Sequence, residues 1–156
     1  MADLGAAPGG WSQAAAQWVG PRGKVVAIDL LEMVALPGVT LLRGDFRDSA
    51  MQAEVARALQ GAKFDVVLSD LSPNLSGIAS TDQARAAELA RAVLAFARAH
   101  LRPEGALLLK VFQGIEFEAI LREARESFRK VRVLKPAASR GESPETYLLA
   151  RGLKPH

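Results

Sequence analysis

Lys110 stands inside the run Leu107-Leu108-Leu109-Lys110-Val111-Phe112, a stretch apolar enough to form a strand buried on both faces. An ammonium in such a place is costly unless it is paired or gives up its proton. A desolvated lysine that has lost its proton is a good general base near neutral pH. The ordinary alternative is a lysine near a strand end that snorkels to water. Asp70 closes another apolar run, Phe64–Asp70, and Glu145 opens a third, over Thr146–Ala150. If that last strand runs antiparallel, its start shares an edge with the ends of the parallel strands. Three ionisable groups distant in sequence then converge on one cleft, as the groups of active sites do.

A second set of residues suits binding rather than proton transfer. Gly5, Gly9 and Gly10, in the run Gly5-Ala6-Ala7-Pro8-Gly9-Gly10, let the backbone turn tightly and approach a ligand where a Cβ would clash. The helix expected next, Trp11–Val19, offers free N–H groups at its start. Asp29 lies 24 residues after Gly5 at the end of Lys24–Asp29, the position from which an acid takes two ribose hydroxyls. Asp45 follows Val39–Arg43 and is placed to accept from an adenine amino group, with Leu30 and Phe46 beside the two acids at the same pocket. Glycine-rich turns are common, and strand-end acids can merely cap loops. Two such acids at successive strand ends favour a nucleotide-like cofactor. The glycine spacing does not fit the G-x-G-x-x-G/A pattern of nicotinamide dinucleotide sites. Trp11 either walls the pocket or packs its helix on the sheet.

Positioning these residues requires alternating strands and helices. Strands are expected at Ala2–Gly5, Lys24–Asp29, Val39–Arg43, Phe64–Asp70, Ala106–Phe112, Val131–Leu134 and Thr146–Ala150. Helices are expected from Ser49, as cap, to about Gln60 before Gly61, from Thr81 to Leu101, and from Ile115 to Ser127. Pro103-Glu104-Gly105 reads as a turn. The alternation implies a mostly parallel sheet with helices on both faces. The last two strands are joined by too short a link for a crossover helix, so they pair antiparallel. An α/β sheet finished in this way resembles the Rossmann-like S-adenosylmethionine methyltransferase fold, an argument by analogy of fold.

Composition bounds the reading. The chain has 156 residues, enough for one domain, with 49% hydrophobic and 24% charged residues. Lys and Arg number 20 against 17 acids, a mild positive balance that permits a basic face. There is no cysteine, which excludes disulfides and thiolate metal sites and makes a cytosolic location the default. Two histidines, His100 and His156, are too scattered for a metal cluster. No run approaches a membrane span or a signal-peptide core. Were the partner a nucleic acid, Arg47, Lys135, Arg140 and Arg22 would be the candidate contacts, each otherwise an ordinary solvated charge. Arg122, Arg125, Arg129 and Lys130 among Glu116, Glu118, Glu123 and Glu126 read instead as pairs on an exposed helix.

The stretches DLGAAPGGWSQ, AIDLLEM, GDFRD, LSDLSPNLSG, LLLKVFQG and SPETYLLA, in this order, closely resemble the FtsJ/RrmJ family of ribosomal RNA methyltransferases. The resemblance implies S-adenosylmethionine as cofactor and methyl transfer to a ribose 2′-hydroxyl, of a uridine in large-subunit ribosomal RNA for the bacterial type. It assigns Asp70, Lys110 and Glu145 to the family's Lys-Asp-Lys-Glu tetrad, and Gly9, Trp11, Asp29, Asp45 and Asp70 to the cofactor. Asp3 would face the methionine ammonium, unless it is simply a solvated acid. The first tetrad lysine lies upstream of the glycine loop in the family, on a segment also implicated in RNA binding, and has no counterpart here. The expectation is therefore a single domain, residues 1–156, truncated at its front, with the cofactor half of its site complete and the catalytic half short by one lysine. Three alternatives stand beside it: a cofactor-binding core impaired by that loss, a relative acting on transfer RNA or messenger RNA caps, and a nicotinamide oxidoreductase.

Overall fold

The computed structural model of the chain describes residues 1–7, 9–71, 76–135 and 145–155. Its elements in order are β1 (Ala2–Leu4), α1 (Gly10–Val19), β2 (Val25–Asp29), β3 (Val39–Arg43), α2 (Ser49–Leu59), β4 (Phe64–Ser69), α3 (Ala79–His100), β5 (Leu101–Phe112), α4 (Phe117–Ser127), β6 (Phe128–Leu134) and β7 (Glu145–Leu153). The strands form one seven-stranded sheet in the order β3-β2-β1-β4-β5-β7-β6. The first five are parallel, and β7 runs antiparallel to both β5 and β6. This is the mostly parallel Rossmann-like arrangement expected, with the last strand slotted between β5 and β6.

Side-chain alternation divides the sheet into two unlike faces. Leu4, Ile28, Val67, Leu107, Leu109, Leu148 and Ala150 point to the main core, where α2, α3 and α4 cover them. Helix α3 presents Ala87, Ala90, Val93, Leu94 and Ala97, and α4 presents Phe117, Ile120, Leu121 and Ala124, each at helical spacing. Phe96 anchors this layer, edge-on to Phe46 and stacked on Phe64. On the other face only α1 packs among the described helices, seating Ser12 and Ala15 against the sheet.

Several local expectations shift. Pro103-Glu104-Gly105 belongs to β5 rather than to a turn, because Leu101 pairs with Phe64 while Ala106 pairs with Val66, and the extra residues bulge between them. Asp48, not Ser49, stands at the N-cap of α2, and Gln60 rather than Gly61 takes the left-handed C-cap, at φ 53°. Arg129 and Lys130 lie in β6, not on a helix. Glu116 and Glu123 reach across to Arg91 of α3, both at 3.1 Å, instead of pairing along α4.

Candidate active site

The C-terminal edge of the parallel strands gathers the residues singled out for chemistry. Asp70 follows β4 directly, Lys110 is the third residue from the end of β5, and Glu145 begins β7. The antiparallel register places Glu145 opposite Phe112 and Tyr147 opposite Lys110. Lys110 Nζ lies 3.1 Å from Asp70 Oδ1 and 3.7 Å from Glu145 Oε1. Only 9% of the Lys110 side chain is exposed, against 34% for Asp70 and 36% for Glu145. The lysine is thus shielded while its two carboxylate partners stand partly open to solvent.

Tyr147 completes this cluster and was not singled out from sequence. Its hydroxyl donates to Asp70 Oδ1 at 2.8 Å, the same oxygen that pairs with Lys110. Its ring stacks on Trp11, with centroids 6.2 Å apart and planes inclined by 26°. Burial, the bond to Asp70 and the nearby charges of Asp70 and Glu145 raise its pKa far above 10, so the hydroxyl stays a donor. The signal for it was present: residue Glu145 plus two must share Glu145's face of a strand.

Around the glycine turn, backbone and carboxylate lock together. Gly5 has φ +74° and its N–H donates to Ile28 O at 2.8 Å. Asp29 accepts from Ala7 N at 2.9 Å and from Leu31 N at 2.8 Å, tying the turn after β1 to the turn after β2. Gly9, at φ +123°, caps α1, and a Cβ there would lie 3.0 Å from Leu36 Cδ1. Nothing lies within 4 Å of a Cβ built at Gly10, which leaves the helix start open. Asp45 is gripped by Arg47, whose Nε and Nη2 donate at 2.9 and 2.8 Å, and that guanidinium holds its carboxyl below the usual range. Leu30 is well exposed beside Asp29.

Some expected placements differ. Asp3 is not an open strand-end acid: it is 1% exposed beneath α1, where Ser12 Oγ donates to its Oδ2 at 2.6 Å. The ring of Phe46 is in the core against Phe96, so only its main chain can meet a ligand. Arg22 precedes β2 and therefore sits at the opposite edge of the sheet from Asp70, too far to serve a ligand at this site. Lys135 does lie at the correct edge, its Nζ donating to Glu145 O at 3.1 Å. Arg140 falls outside the described residues. Among the described residues no group of three potential ligands could hold a metal ion, and no helix is long and apolar enough to cross a membrane.

Asp3 feels the other acids at this edge. Burial raises the pKa of Asp3, the Ser12 hydrogen bond opposes that, and the charges of Asp70 and Asp29 raise it further. Because the folded value exceeds the unfolded 3.8, ionised Asp3 opposes folding. Its contribution is most favourable below the unfolded value and worsens as pH rises through the raised folded value. Asp3→Asn, which keeps an acceptor for Ser12, is expected to raise Tm at pH 7 by a few degrees. Thermal scans from pH 7 to pH 3 should show that gain disappear; a pH-independent difference would contradict the electrostatic origin.

Sequence comparison agrees with this geometry. The model of the FtsJ-like methyltransferase family matches residues 1–153. The chain is 49% identical over 154 residues to the ribosomal RNA large subunit methyltransferase E of Dechloromonas aromatica, covering 99% of this chain and 75% of that one. It is 53% identical over 150 residues to the enzyme of the same name from Chromohalobacter salexigens, covering 96% and 71%. A crystal structure described as a putative ribosomal RNA methyltransferase from Plasmodium falciparum superposes with a TM-score of 0.85 at 22% identity, over 97% of this chain and 85% of the other. A family match over residues 1–153, on a mostly parallel sheet closed by an antiparallel strand, leaves one assignment: this chain belongs to the FtsJ-like methyltransferases.

Proposed function

We propose that the chain transfers the methyl group of S-adenosylmethionine to a ribose 2′-hydroxyl of large-subunit ribosomal RNA, at a uridine, in the cytoplasm. The observation that carries the reading is the cluster of Lys110, Asp70 and Glu145 beside a second set of acids at the same edge. The charges of Asp70 and Asp29 reach Asp3 and raise its pKa, so this side of the site favours a cationic ligand. A sulfonium with an ammonium fits there, whereas a dinucleotide pyrophosphate would meet repulsion. Asp29 retains capacity for ribose hydroxyls beyond its two backbone donors, since an ionised carboxylate has about four acceptor positions. Asp45 would take the adenine amino group, Gly5, Gly9, Gly10 and Trp11 would shape the wall, and Leu30 and the Phe46 main chain would flank the base.

When bound, the cofactor supplies an electrophilic methyl and a good leaving group, so the protein's task is largely placement and proton removal. Lys110, in its neutral amine form, accepts the proton of the 2′-hydroxyl as the oxygen bonds to the methyl, and becomes the ammonium. Asp70 and Glu145 stabilise the ammonium that results and fix its position through the 3.1 and 3.7 Å contacts. Tyr147 orients Asp70 by its hydrogen bond and joins this group to the Trp11 wall. The RNA would lie across the exposed carboxylate rim, with Lys135 beside it; Arg47 would first have to leave Asp45.

The direct experiment is methyl transfer from labelled cofactor to large ribosomal subunits, followed by nucleoside analysis. A 2′-O-methyluridine product is expected; label on transfer RNA alone, or on a base, would refute the reading. Tyr147→Phe keeps the stacked ring and removes the hydroxyl. It is expected to lower kcat about tenfold, the scale of one hydrogen bond to a charged group, while cofactor affinity holds. A change confined to cofactor affinity would place Tyr147 in the binding wall instead.

A further inference from the structure

Phe46 is held from two sides. Its ring lies edge-on to Phe96 in the core, with centroids 5.9 Å apart. Its carbonyl accepts from Gln52 Nε2 of α2 at 2.7 Å. With that amide nitrogen bound to Phe46, Gln52 Oε1 faces away and pairs with His100 Nε2. The His100 ring in turn lies against Phe96, one helical turn earlier in α3, at 4.5 Å between centroids. The four residues close a circuit: Phe46 to Gln52, Gln52 to His100, His100 to Phe96, and Phe96 back to Phe46.

Both polar members of this circuit are satisfied. Burial, reinforced by the charge of Lys63, holds the His100 pKa below its ordinary 6.5. At pH 7 the ring is therefore neutral, with its one proton on Nε2, facing the glutamine oxygen. Gln52 uses its donor and its acceptor end at once. A polar network with both ends met, set against aromatic rings, favours a single geometry. At the Phe46 Cα it fixes two bonds: the buried ring sets the direction of Cβ, and the carbonyl sets that of the main-chain carbon. One direction then remains for Phe46 N, whose N–H makes no hydrogen bond among the described residues. That nitrogen adjoins Asp45, in a turn closed by Asp48 N–H donating to Asp45 O at 3.0 Å.

We propose that Gln52 and His100 are positioning residues for recognition of the cofactor's adenine: through the Phe46 carbonyl they aim the Phe46 N–H beside the Asp45 carboxylate, so that a donor and an acceptor meet the base together. Adenine offers the complement, an acceptor at N1 next to the donating 6-amino group. Hypoxanthine offers the reverse, a donor at N1 next to a carbonyl. Gln52 and His100 act through Phe46 rather than on the reacting atoms, so their effect falls on the choice of base. This role rests on the placement of the base against Asp45 and the Phe46 main chain proposed above.

S-Adenosylhomocysteine and S-inosylhomocysteine differ only in that edge of the base. In titration calorimetry the unaltered chain should bind the adenosyl compound at least about tenfold more tightly, since a site that pairs with a polar group rejects the analogue lacking it. Gln52→Met keeps the length of the side chain and loses both bonds. It is expected to weaken adenosyl binding about fivefold while inosyl binding holds, so that the preference narrows. His100→Phe keeps a ring against Phe96 without a donor for Gln52 and should narrow the preference in the same sense. It also decides the matter if circular dichroism shows Gln52→Met unfolded. Equal weakening of both ligands, or a preference that survives either substitution in a folded chain, overturns the proposal. Asp45→Ala separates the two layers. If it abolishes a preference that Gln52→Met and His100→Phe preserve, the base lies at this turn and the positioning role alone fails. A preference absent from the unaltered chain, or indifferent to Asp45→Ala, removes the base from this turn and the positioning role with it.

Discussion

Lys110→Ala is expected to reduce methyl transfer by about a thousandfold, within the range lost when a positioned general base is removed. Cofactor affinity should be nearly unchanged, because Lys110 is not among the residues proposed to hold it, and Asp70, which is, keeps its hydrogen bond from Tyr147. The two readouts should separate cleanly in calorimetry and single-turnover transfer. The substitution also leaves Asp70 and Glu145 as unneutralised neighbours, although both are about one-third exposed and water can solvate them. Folding should survive for that reason. Turnover close to that of the unaltered protein would remove Lys110 from the reaction and shift attention to the carboxylates. Lys110→Arg makes a useful companion, since a guanidinium keeps the charge but cannot accept a proton.

Gly5→Ala is expected to have the largest effect on cofactor binding. A Cβ at this position would lie 2.3 Å from Leu71 Cδ2 and 2.8 Å from Leu71 Cγ, and φ is +74°. The left-handed conformation alone costs a non-glycine residue about 1–2 kcal/mol. Leu71 follows Asp70, so displacing its side chain disturbs the residue shared by both halves of the site. The Gly5 N–H bond to Ile28 O and the Ala7 N–H bond to Asp29 would shift together. Affinity for S-adenosylmethionine should fall at least about tenfold, equivalent to about 1.4 kcal/mol. Titration calorimetry with folding checked by thermal scan would measure it. Unaltered affinity would mean that the turn does not shape the binding site.

The parts of this architecture that follow from chain-local pattern were legible in the sequence. The strand end at Asp29, the end of β4 at Ser69 one residue before the expected Asp70, the lysine inside an apolar run and the antiparallel return at Glu145 all come from short apolar runs and short links. What escaped depends on packing between elements. Asp3 reads as a strand-end acid, yet α1 closes over it and Ser12 supplies its hydrogen bond, a partner nine residues away whose role only the turn geometry reveals. Phe46 stands beside Asp45 in sequence but turns inward because Phe96 of α3 provides an aromatic surface for it. Arg22 shows a different limit. A charged residue near a binding motif in sequence can be a whole strand length away in space, since the chain crosses the sheet between the end of β1 and the start of β2. The insertion of β7 between β5 and β6 was the feature of topology hardest to foresee, because an antiparallel pair reads the same whichever member is at the edge.

That insertion has a consequence in time. Strand β7 follows every other strand in the chain yet lies inside the sheet, so β6 has no ladder to join until β7 is available. During synthesis the glycine turn, Asp29, Asp45, Asp70 and Lys110 all emerge before Glu145 and Tyr147 do. A nascent chain can therefore assemble the ligand-holding end of the domain while its reacting end is still incomplete. The last strand acts as the closing stitch: it seals the sheet and delivers two of the four clustered side chains in the same event.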